Sequence, residues 1–182
     1  MNTELNTLLV TLYVHLDDRI LPAIGFSRDH RPGRKSALSD VELLCLLVAQ
    51  HLLGIASDRK WIRYARAHLR GMFPNIPKQS GWGKRVRQST GLISAVITEL
   101  ARDTPTWNDL TPRYGKLGAM RQWVESVFDT LKGQLTLEQH GGRTLPGVYS
   151  RVAARLLALA AAIWHNWHTD APTKRSLIAY DH

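Results

Sequence analysis

Apolar residues return every three or four positions along most of the chain and nowhere alternate steadily with polar ones, a pattern of amphipathic helices without a sheet. Leu5, Leu8, Leu9, Leu12 and Leu16 predict a first helix over about Thr3–Ile20, closed by Pro22 and Gly25. The polar run Arg28–Ser36 reads as an exposed loop. Ser39 and Glu42 form a capping box, in which each side chain can satisfy the other's backbone amide. It opens an apolar, central helix that Gly54 can terminate. Ser57 caps a further helix over about Asp58–Arg70, with Ile62, Ala65 and Leu69 facing inward. After Pro74 and Pro77, a helical region over about Gly81–Arg102 bends near Gly91 and turns Leu92, Ile93, Val96, Ile97 and Leu100 to one side. Thr104-Pro105 and Thr111-Pro112 bracket a seam. A helix over about Gly118–Lys132 and a turn at His140-Gly141-Gly142 follow. The last helix is capped by Thr144 and carries Val148, Val152, Leu156, Leu159, Ile163 and Trp167 on one side. The expected fold class is mainly α.

With 182 residues and 44% hydrophobic content the chain can bury a core, so disorder is excluded. Lys and Arg outnumber Asp and Glu by 24 to 15, a net charge of +9 that favours a polyanionic partner, nucleic acid before an anionic membrane surface. Cys45 is the sole cysteine and lies in an apolar run, so no internal disulfide forms and the thiol is expected to be buried and inert. The first ten residues lack the basic start of a signal peptide, and the apolar tract Leu156–Trp164 is too short to span a bilayer. A soluble cytoplasmic protein without membrane association is expected.

Charge narrows the function further. Between Arg59 and Arg87 there are nine Lys or Arg and no Asp or Glu. Arg59, Arg63, Arg66 and Arg70 step along one helix face, with Lys60, Lys84, Arg85 and Arg87 nearby. A capped helix, a tight glycine turn and a cationic second helix fit a helix-turn-helix unit, and clustered cations bind duplex DNA by releasing its counterions. The competing reading is a solvated basic face. Trp61, Tyr64 and Trp82 could stack on bases, although core packing is their commoner role. His165 and His168 stand at a spacing compatible with zinc but lack further ligands, and Gly81-Trp82-Gly83-Lys84 is too short for a phosphate loop.

The segment Met120–Lys132 brings Arg121, Glu125 and Lys132 to one side of a helix, beside an apolar strip of Val124, Val127, Phe128 and Leu131 that would hold it against a core. A carboxylate flanked by cations can ligate a divalent metal while the cations hold phosphate oxygens. Taken alone, an Arg–Glu pair one turn apart is more often a surface ion pair. The run RQWVESVFDTLK, followed by LEQHGGRTL, resembles the C-terminal catalytic helix of DDE insertion-sequence transposases, whose Arg, Glu and Lys recur at the spacing of Arg121, Glu125 and Lys132. Gly118 stands where the fuller signature has Tyr. The stretches ELLCLLVAQHLLGI, RKWIRYARAHLRGMFP and ALAAAIWHNW are similar to the two ends of the same group.

That resemblance implies two regions: 1–110, helical and DNA-binding, and 111–182, the helical remnant of an RNase H-like catalytic domain. The family's sheet, bearing two of its three catalytic carboxylates, would fall at the seam, where only Asp109 remains without a strand leading to it. Glu125 would be the residual Mg²⁺ ligand, with Arg121 and Lys132 beside it, in a protein unable to cut DNA. Implied partners are the element's terminal repeats in double-stranded DNA and other copies, as a homo-oligomer or mixed with full-length transposase, in the bacterial nucleoid. Two alternatives stand beside it: a small helical DNA-binding regulator, and a non-functional remnant whose halves no longer pack.

Overall fold

The computed structural model describes residues 3–26, 36–104, 117–172 and 176–180. Leu5, Leu8, Leu9 and Leu12 bury one side of Thr3–His15 (α1), which runs on through a π-helical turn, Leu16–Ile20, and a last turn, Leu21–Ala23. Gly25, at φ 60°, then breaks the helix in a conformation that glycine adopts without cost. The loop expected over Arg28–Ser36 lies almost wholly outside the described residues, as does the seam from Pro105 to Pro112.

Asp40–Leu52 (α2) begins at the capping box anticipated for Ser39 and Glu42. The Glu42 amide donates to Ser39 Oγ at 3.0 Å and the Ser39 amide to Glu42 Oε2 at 2.6 Å. Every residue from Leu43 to Leu52 is buried, Cys45 among them, as the near-uniform apolar character required. Gly54, at φ 63°, turns the chain into Asp58–His68 (α3). Gln79–Gln88 (α4) and Thr90–Arg102 (α5) divide the region expected to be interrupted or bent near Gly91, the break falling at Ser89. Leu117–Gly133 (α6) and Leu145–His168 (α7) complete the regular elements, and among the described residues there is no strand.

The architecture is mainly helical and centred on α7, which packs most extensively on α5 and α2 and also touches α1, α4 and α6. Small residues allow that approach: Ala153, Ala154, Ala158, Ala161 and Ala162 are buried together with Leu157 and Trp164. One hydrophobic cluster therefore contains residues from both sides of position 110. The side of α7 grouped by the sequence pattern is the less covered one, because helix spacing alone does not say which of two apolar faces meets a neighbour. Leu159 on it is buried, whereas Leu156 and Trp167 are each 37% exposed. α7 is the one described helix long and apolar enough to cross a membrane by length and composition, outrunning its Leu156–Trp164 core, and 50% of its most apolar window is buried in the fold.

α6 departs from expectation more sharply. The strip meant to seat it is covered only at its end: Leu131 is buried and Val127 half-buried, but Val124 is 45% and Phe128 50% exposed. The helix packs on α7 and on the 3-10 turn that follows it, Leu137–Gln139.

Candidate nucleic-acid interface

The basic region is built from α3, the connection 69–78 and α4. Ser57 caps α3, its hydroxyl accepting from the Lys60 amide at 3.4 Å, and Asp58 favours the helix start electrostatically. Trp61, Ile62 and Ala65 bury one face, with Leu69, Phe73 and Ile76 tucked beneath the connection. Trp82 and Val86 do the same for α4, and the Trp61 and Trp82 rings meet at 6.4 Å. Both tryptophans are therefore packed into the core, which removes them as base-stacking platforms. Half-buried Tyr64 stacks on Trp61 at 6.1 Å and lies 4.5 Å from the His68 ring.

Burial of those apolar positions fixes where the cations point. Arg59, Lys60, Arg63 and Arg70 on or beside α3, and Lys84 and Arg87 on α4, are exposed. Among the described residues, none of these six is within ion-pair distance of an acidic side chain. Arg66 is exposed too, but its Nη2 donates to the Ile76 carbonyl at 3.1 Å and steadies the connection. The capped α2, the turn at Gly54 and the cationic α3 follow one another across the short connection 53–57, in the order expected of a helix-turn-helix, while α3 packs chiefly on α4, reached through ten residues.

Arg85 is the exception in the cationic set. Its Nη2 donates to Asp40 Oδ1 at 3.0 Å and to the Leu38 carbonyl at 2.9 Å, with its side chain only 14% exposed. It clamps α4 to the start of α2. Arg85→Ala would remove one donor from Asp40 and one from the Leu38 carbonyl, so we expect a loss of about 1–3 kcal/mol in chemical denaturation. DNA affinity should change far less than in Arg63→Ala; the reverse ranking would make Arg85 a contact residue.

The Arg–Glu–Lys set lies on α6. The Arg121 side chain is outside the described residues. Glu125 is exposed and borders a shallow, open depression with Asp129, Thr130 and Gln134. Lys132 Nζ lies 3.2 Å from Glu138 Oε1, in an ion pair whose members are 55% and 72% exposed. Among the described residues, no three His, Cys, Asp or Glu stand close enough to hold a metal ion. Asp109 falls outside the described residues. His165 joins Tyr180 and Asn166 in a buried network, at 3.0 Å to the Tyr180 hydroxyl, and His168 stacks on Trp164 at 5.3 Å.

A second cationic cluster escaped the sequence reading. Arg151 and Arg155 rise from α7 into a cleft of ≈ 50 Å³ shared with Gln50 and His51 of α2, Asp58 of α3 and Arg87 of α4. Arg155, 2% exposed, donates from Nε to the Leu135 carbonyl at 2.8 Å and from Nη1 to the Arg151 carbonyl at 3.0 Å. Arg151 donates from Nη1 to the His140 carbonyl at 2.8 Å and from Nη2 to Asp58 Oδ2 at 3.4 Å. Burial, with the two arginines behind it, pushes His51 down to about 3. The available signal was two arginines one turn apart on the helix that carries the apolar tract Leu156–Trp164, an expensive placement for a bare charge.

No family model, curated protein or solved structure matches the chain.

Proposed function

We propose that the chain is a transposase-family DNA-binding protein of an insertion sequence, one that holds the element's ends without cutting them. The observation that carries the DNA-binding part is the exposed cationic face of α3 and α4, whose six cations have no acidic partner among the described residues. Charges so placed are available to phosphates, and the buried Trp61–Trp82 pair gives them a rigid base. The ancestry rests on the spacing of Arg121, Glu125 and Lys132. Exposed Val124 and Phe128 support it, since a helix that formerly covered a sheet would keep its apolar strip after the sheet was lost.

One observation favours a second reading, a helical DNA-binding regulator without catalytic ancestry: residues on both sides of position 110 share a single core, as in a chain shaped as one unit. The same sharing counts against a remnant whose halves do not pack.

Fluorescence anisotropy with duplexes from the ends of the chain's own gene locus, against scrambled duplex and with Mg²⁺ and a gel readout, separates these readings. Preference for the locus ends without nicking is the expected result, unchanged in Glu125→Ala. Equal affinity for scrambled duplex would remove the element-end reading, and nicking lost in Glu125→Ala would overturn the claim that the chain does not cut.

A further inference from the structure

The cleft between α2, α3, α4 and α7 presents an unusual combination. His51 is 8% exposed, its ring makes no hydrogen bond to any described residue, and it borders the cleft. Arg155 is more deeply buried still and, among the described residues, meets no carboxylate at ion-pair distance, donating instead to two backbone carbonyls. Arg87 is exposed at the rim, its Nη1 3.4 Å from where a Cβ on Gly83 would stand. Three guanidinium groups therefore face one carboxylate, Asp58, which is shared with Arg151 and with Gln50 Nε2 at 3.3 Å.

Three guanidinium groups around one shared carboxylate, with Arg155 withdrawn from water, are under-compensated, and an anion in the cleft would relieve them. Size decides which anion. The cleft is small, ≈ 50 Å³, which suits a small anion. Planar guanidinium donors converging with an imidazole suit a tetrahedral oxyanion.

We propose that this cleft is a binding site for a single phosphate group, held by Arg87, Arg151 and Arg155 with the His51 ring donating to one oxygen. The inference does not depend on the DNA-binding reading. A phosphate on DNA and a free phosphate or phosphomonoester offer the same group, and the test separates them. Binding should also raise the proton affinity of His51, because the anion offsets Arg155 and Arg151 on α7, which lower it; Arg87 of α4 and Asp58 of α3 also line the cleft.

Inorganic phosphate is titrated into the full chain at constant ionic strength, with calorimetry for affinity and histidine-ring NMR for location. Saturable binding with Kd below about 10 mM and movement of the His51 resonances is expected, and Arg87→Ala should weaken it about tenfold or more. His51→Gln should retain the fold and lose the resonance. Binding that ignores Arg87→Ala, or that leaves His51 unmoved, would overturn the site. Given binding, 5′-phosphorylated and 5′-hydroxyl duplexes compete next. Competition by the phosphorylated duplex alone assigns a terminal phosphate, competition by both an internal one, and competition by neither a free ligand. Phosphate binding in a chain that binds no DNA would sustain the cleft and end the DNA reading.

Discussion

Raising NaCl from about 50 to about 200 mM should weaken DNA binding roughly a thousandfold. The slope of log affinity against log salt is about −0.9 per phosphate neutralised, so six contacts give about −5. Arg59, Lys60, Arg63, Arg70, Lys84 and Arg87 are the six that the fold leaves exposed. Apolar anchoring makes the set rigid: each turn of α3 that buries Trp61, Ile62 or Ala65 turns a cation outward. Combined Arg59→Ala, Arg63→Ala and Arg70→Ala should bring the slope to about −3 and weaken all duplexes alike, since phosphate contacts carry no sequence information. Anisotropy titrations at four or five salt concentrations measure both. A slope near zero, or one the triple variant leaves untouched, would place the contacts elsewhere.

The helices were legible because their signals are local. The Ser39–Glu42 box, the Ser57 and Thr144 caps and the positive φ of Gly54 each act within one turn, and each sits where the pattern placed it. Packing was less legible, because it depends on which neighbour arrives. α7 is apolar on more than one side, and its alanines decided that α2 and α5 would pack there rather than against Leu156 and Trp167. Val124 and Phe128 form a strip by periodicity, but periodicity cannot supply the layer that would cover it. The cationic face followed directly from the charges of α3, yet Arg85 did not: its partner, Asp40, is 45 positions away. The phosphate cleft lay furthest out of reach, being assembled from four helices that only tertiary structure brings together.

Mild acid should destabilise the protein, and His51 is the residue that makes it do so. An ordinary imidazole takes up a proton near its usual value of 6.5, whereas in the fold His51 is held down to about 3, first by burial and then by Arg155 and Arg151. Between those two values the unfolded chain binds a proton that the folded chain refuses, so stability falls as pH falls. His51 alone should therefore cost about 2–3 kcal/mol between pH 6.5 and 4.5, a large share of the roughly 5–15 kcal/mol that holds a domain together. His15 pulls the same way: burial lowers it, although the Asp103 carboxylate 2.8 Å from its Nε2 opposes the shift. Urea denaturation across this pH range, in wild type and in His51→Leu, isolates the contribution. The variant should lose most of the slope and overtake wild type at the acid end, since it has no proton to refuse. If wild type and variant decline in parallel, His51 titrates normally, and the electrostatics ascribed to the arginines around it would be wrong.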